Sequence, residues 1–155
     1  MINKIFYYIY LELLKFRDKK IKNKGITQYK LEDKHLKNIS VVKNRKTLVQ
    51  KMPRNALVAE IGVNKGTFSQ IILESSKPKK LHLIDSWVSQ RYNTSIKKIV
   101  ENKFESYIDQ GIIEINKGLS IEVLESFENN YFDWLYIDTA HTYEVTIAEL
   151  YLCHK

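Results

Sequence analysis

The sequence predicts an α/β domain built on a parallel sheet. Three observations lead there. Four short, continuous apolar runs are spaced along residues 56–155, helical periodicity fills the intervals between them, and three of the runs end on a carboxylate that gives way to small polar residues. Apolar runs of this kind suit strands buried on both faces, and strand–helix alternation calls for right-handed crossovers.

The elements follow in chain order. Residues Ile5–Phe16 are apolar and aromatic, and a basic stretch follows. About a dozen apolar residues is too short for a bilayer span of ~20 residues, and no small-residue cleavage site accompanies them. The segment reads as a helix packed on protein, or as an interfacial helix with Lys15, Arg17, Lys19, Lys20, Lys22 and Lys24 facing anionic lipid. Gly25–Asp33 reads as a linker, so 1–33 is set apart from a domain at 34–155. Apolar spacing predicts a helix over His35–Lys51, stopped by Pro53. LVAEIG is the first strand and Thr67–Glu74 its helix; LHLID is the second strand, followed by an amphipathic helix over Asn93–Asp109. IIEI, Ser120–Phe127, DWLYID and Tyr143–Leu152 complete the alternation.

Charge is unevenly distributed. Residues 1–55 carry 15 Lys/Arg against 4 Asp/Glu, a net +11, while 56–155 carry 10 against 14, a net −4. The positive charge lies away from the motif-bearing part, which disfavours nucleic acid as the partner. The single cysteine, Cys153, excludes an internal disulfide and a thiolate zinc site, and a reducing, cytoplasmic setting is the default. At 155 residues the chain is long enough for one self-supporting core.

Ligands of parallel α/β sheets bind outside the carboxyl ends of the strands. The first strand exits through Glu60-Ile61-Gly62-Val63-Asn64-Lys65-Gly66-Thr67-Phe68-Ser69. Gly62 and Gly66 allow a sharp turn and close approach of a ligand, and the helix that starts near Gly66 presents free N–H groups. Neither GxGxxG nor GxxxxGK[ST] fits: no glycine lies between Gly62 and Gly66, and Lys65 precedes Gly66. An acid ahead of the loop suits a zwitterionic amino-acid tail better than a pyrophosphate. Asp85, ending the second strand, is placed either to accept from ribose hydroxyls or to cap the next segment. Trp87 is placed either to wall an adenine or to join the core. Gly118 and Ser120 follow the third strand, with Ser120 either capping the next helix or touching adenine. Asp138 ends the fourth, and His141, three residues on, is either a general base or a local hydrogen-bond partner.

Together AEIGVNKGTFS, LHLIDSW, NKGLSIEVL and FDWLYIDTAHTYE resemble class I S-adenosylmethionine-dependent methyltransferases, in particular the small-molecule O-methyltransferase branch that includes macrocin-type sugar methyltransferases. The resemblance covers about 41–152. It implies a Rossmann-like sheet of order 3-2-1-4, S-adenosyl-L-methionine as cofactor, and a hydroxyl of a sugar or other small molecule as acceptor. It assigns Glu60, Gly62 and Gly66 to the methionine moiety, Asp85 to ribose and Ser120 to adenine. In related catechol-type enzymes the aspartate of the fourth strand binds a divalent metal such as magnesium, and a catalytic lysine lies three residues on. Asp138 matches the first, and His141 stands in place of the second. The family continues for three more strands that this chain lacks, so the fourth strand is expected as an unpaired edge open to another chain or copy. Two other readings stand beside this one: a non-catalytic remnant that serves as an interaction module, and an oxidoreductase using NAD. Peripheral contact of 1–24 with the inner face of a membrane is the accompanying expectation.

Overall fold

A computed structural model describes residues 30–155. The predicted N-terminal helix, its lipid-facing lysines and most of the linker lie outside the described residues. The chain divides into two compact units, Met1–Val41 and Val42–Lys155. Within the first, the described residues carry a single helical turn, α1 (Asp33–Leu36).

The helix expected over His35–Lys51 is two separate helices. Residues between α1 and α2 (Arg45–Lys51) are not helical. Asn44 is the reason on the α2 side: its backbone is extended, and its side chain accepts the Thr47 N–H at 2.9 Å, which starts a new helix. Ile39 and Val41, counted toward the apolar stripe, are 67% and 89% exposed.

The second unit holds four parallel strands in the order β3-β2-β1-β4, with β1 at Leu57–Ile61, β2 at Lys80–Asp85, β3 at Ile113–Lys117 and β4 at Trp134–Ile137. The parallel sheet is what the alternating pattern predicts, and the strand order is the one the family resemblance implies. Glu60 is in register with Leu83 of β2 and Tyr136 of β4, and Asp85 with Lys117 of β3. Among the described residues β3 and β4 are each paired on one side only.

Helices α3 (Thr67–Ser76) and α4 (Thr94–Asp109) cover one face; α5 (Ser120–Glu125) and α6 (Tyr143–Cys153) cover the other. On the first face Val58, Leu81, Leu83, Ile113 and Trp134 pack with Val49, Phe68, Ile72, Val100 and Phe104. On the second, Ala59, Ile61 and Ile84 pack with Leu124, Phe127, Phe132 and Leu152. Each such side chain contributes about 1.5–3 kcal/mol on burial, so both cores hold the strand exits rigidly. No helix among the described residues is long and apolar enough to cross a membrane.

Candidate functional site

Glu60 is the penultimate residue of β1 and is only 1% exposed. The Ser69 hydroxyl, from the first turn of α3, donates to its Oε2. Burial pushes the carboxyl up to about 8; the nearby Asp138 and Asp85 carboxylates add to the rise, while Ser69 and Arg45 oppose it. At neutral pH the group holds its proton until a cation is placed beside it.

The loop after β1 is pinned to β2. Gly62 N–H continues the ladder to Ile84 O at 2.9 Å. Val63 and Asn64 N–H both donate to Asp85 Oδ2 at 2.9 Å, and Trp87 N–H donates to Oδ1 at 3.1 Å. Asp85 thus fastens the loop and turns its own chain. A carboxylate offers about four acceptor positions, so one remains on Oδ1 for a ligand hydroxyl. Trp87 belongs to the core: it is 1% exposed, and its Nε1–H donates to Asn64 O at 3.1 Å.

The two loop glycines are required by sterics. Gly62 has φ +92°, and a Cβ there would stand 2.1 Å from the Asp138 carbonyl oxygen. Gly66 has φ +67°, its Cβ position would lie 2.7 Å from the Phe104 ring, and its carbonyl accepts from Lys103 Nζ at 2.8 Å. The first contact shows that the β1 and β4 exits touch.

Asp138 extends the β1 ladder through its N–H to Ile61 O at 2.8 Å. Its carboxylate lies between two partners, His141 Nε2 at 3.1 Å and Arg45 Nη1 at 3.4 Å. Arg45 also donates to the Tyr136 hydroxyl at 2.8 Å, and its guanidinium lies 4.7 Å over the Phe68 ring. With the Nε2 proton directed at Asp138, the His141 lone pair is on Nδ1. His141 has φ +51°, a left-handed conformation of the kind that concentrates at functional loops. The Thr139 hydroxyl donates to Glu149 Oε2 at 2.7 Å, which ties this loop to α6.

Ser120 opens α5 three residues after β3, but the cap position is Leu119, with no side-chain cap bond; Ser120 is therefore not the helix cap. The expected metal site at Asp138 does not fit the donor set. A hard divalent cation wants about six oxygen ligands. Asp138 has one histidine and a guanidinium as its neighbours, and no cluster of three candidate ligands exists among the described residues. Two hollows in the surface, of about 130 and 450 Å³, include none of these rim residues.

Sequence reasoning singled out the acids but missed Arg45 and Glu149. Arg45 was one basic residue among many, and its partners lie 91 and 93 residues away. Glu149 gave a usable signal: an acid amid the apolar residues of α6, 0% exposed.

Residues 59–155, more than half of the chain, match the methyltransferase domain family. No functionally curated protein sequence matches significantly. Among solved structures, the chain is similar to a candidate rRNA methylase from Clostridium thermocellum (TM-score 0.55, 9% identity, 72% of this chain and 62% of that one). It is also similar to M. capricolum TrmK bound to S-adenosylhomocysteine (0.52, 18%, 71% and 46%), and to a candidate caffeoyl-CoA O-methyltransferase from Staphylococcus aureus (0.51, 17%, 94% and 66%). At these identities the likeness is one of fold, and the chain spans less than two thirds of each of those structures. The described sheet and the family match agree: the chain belongs to the methyltransferase domain family.

Proposed function

We propose that the second unit binds S-adenosylmethionine across the carboxyl ends of its strands and transfers the methyl group to a hydroxyl of a sugar or other small molecule. One observation carries the reading: the Gly62–Gly66 loop is joined by direct contacts to Asp85 and to the Asp138 backbone, and Glu60, held by Ser69, lies close enough to both carboxylates to feel their charge. Glu60 meets the ammonium of the methionine tail, and the free position on Asp85 takes one ribose hydroxyl. Ser120, on the third exit, lies toward the adenine.

At the fourth exit His141 is the base and Asp138 fixes its tautomer. S-adenosylmethionine, when bound, would supply its methyl to the acceptor oxygen, the C–O bond forming as the C–S bond breaks with that electron pair staying on the sulfur of S-adenosylhomocysteine. The hydroxyl proton goes to His141 Nδ1.

Calorimetry tests the first half directly. Saturable binding of S-adenosylhomocysteine with NAD inert is expected, and Asp85→Ala and Gly62→Val should each weaken it. Failure of the wild-type protein to bind any adenosyl ligand overturns the reading.

A second reading is favoured by a different observation. β4 has a free edge among the described residues, and α6 exposes Tyr143, Ile147, Leu150 and Tyr151 at helical spacing. An interaction or oligomerisation module would use this surface. Light scattering that shows a concentration-independent dimer, together with absent cofactor binding, would select it. Residues 1–24 add a separate expectation of weak, salt-sensitive attachment to anionic vesicles, lost when they are deleted.

A further inference from the structure

Arg45 has a position at the rim that packing alone does not explain. It lies in the first turn of α2, yet its guanidinium reaches the tip of β4 and covers Phe68 at the start of α3. Among the described residues only Nη1 is engaged, by Tyr136 and Asp138. No described residue accepts from Nε or Nη2, and the side chain is 62% exposed. Phe68 is adjacent to Ser69, the residue that hydrogen-bonds Glu60. Arg45 and Glu60 are near enough for each to feel the other's charge.

We infer that Arg45 is the carboxylate-recognising residue of the site, and that it and Glu60 together read the two charged ends of an amino-acid tail. The inference rests on the cofactor reading above and deepens it. The chemistry fits the surroundings: Asp85 and Asp138, joined by Glu60 once an ammonium draws off its proton, make the rim acidic, which favours the ammonium end and repels a carboxylate unless a cation meets it. A guanidinium with its fork open is the side chain that pairs a carboxylate through two parallel N–H donors. Tyr136 holds one nitrogen and Phe68 supports the plane, so less side-chain freedom is lost on binding. Asp138 is only a loose competitor at 3.4 Å, and a carboxylate aligned with the open fork would displace it.

The test compares S-adenosylhomocysteine with its decarboxylated analogue, which keeps the ammonium and lacks only the carboxylate. Titration calorimetry on the full chain should show wild type preferring S-adenosylhomocysteine by roughly ten- to a hundredfold, the scale of a charge-assisted hydrogen-bonded pair. Arg45→Met should erase that preference by weakening S-adenosylhomocysteine alone, with the analogue changed less than twofold. Arg45→Lys keeps the charge without the fork and should retain part of the preference. Equal weakening of both ligands, or no change in either, assigns Arg45 to packing and overturns the inference while leaving cofactor binding intact. Absence of all adenosyl binding by the wild type overturns the cofactor reading, and this inference with it.

Discussion

Glu60 and His82 are both 1% exposed and both titratable, yet the protein treats them in opposite ways. His82, on β2, is fully served by neighbours. Its Nδ1 is 3.0 Å from Asn116 Oδ1 and its Nε2 is 3.1 Å from the Tyr131 hydroxyl. Phe127, Tyr131 and Phe132 surround the ring with edge-on contacts at 5.0–5.5 Å. Glu60 has one hydroxyl donor and two like-charged carboxylates in range. A buried polar group with every bond satisfied specifies a core; one left in conflict is a place where a ligand completes the structure.

The largest expected effect is at the rim's geometry. Gly62→Ala puts a Cβ into backbone at 2.1 Å and forces φ +92° on an L residue. Separating the β1 and β4 exits should cost about 3–5 kcal/mol, a large share of a domain's ~5–15 kcal/mol. Urea denaturation checks this, and a loss under 1 kcal/mol would show that the two exits are not in contact.

Glu60→Gln comes next and acts with a defined pH dependence. The folded value, near 8, is raised above the ordinary 4.5, so Glu60's contribution to stability is full below about 4.5 and is lost as pH rises through 8. The neutral amide avoids that loss. It should raise ligand-free stability by at most about 4–5 kcal/mol above pH 8 and very little at pH 4. It should also weaken S-adenosylhomocysteine. Thermal melts from pH 4 to 9 decide the matter; a pH-independent difference would mean the carboxyl is not under strain.

Both groups were visible in the sequence, but not their fates. LVAEIG and LHLID each show a polar residue in a run that must be buried, and an acid at a strand tip locates the rim with no knowledge of packing. The partners were hidden. Asn116 and Tyr131 are 34 and 49 residues from His82, and nothing local marks them. Arg45 was hidden by its basic surroundings for the same reason. The helix over His35–Lys51 was misread because apolar spacing overlooked the competing Asn44 cap, a one-residue effect with no periodic signature.

His82→Leu should then distinguish the two kinds of burial. Burial holds the imidazole below its usual value, with Asn116 and Glu114 opposing and Lys80 adding slightly. Because the folded value is depressed, its contribution is present above the unfolded value of about 6.5 and is lost as pH falls through the folded one. Leucine removes that acid-side loss but leaves the Asn116 and Tyr131 groups unpaired. The variant should be about 1–3 kcal/mol less stable at pH 8 and lose less on acidification than wild type. It should bind S-adenosylhomocysteine normally, whereas Glu60→Gln should not.

The smallest effect belongs to Tyr131→Phe, and it tests the claim that His82 is satisfied. Asn116 Oδ1 can only accept, and its Nδ2 is already donating to Glu114 Oε1 at 3.0 Å. His82 must therefore carry its proton on Nδ1, and Nε2 must accept from the Tyr131 hydroxyl. Phenylalanine keeps the ring packing against His82 and Phe127 and deletes only that donor. The expected cost is about 0.5–1.5 kcal/mol at pH 8, the net value of one neutral hydrogen bond. A cost indistinguishable from zero in urea denaturation would mean that the imidazole has no need of its second partner. His82 would then be tolerated in the core much as Glu60 is, and burial with full hydrogen bonding would no longer separate the structural side of this sheet from its rim.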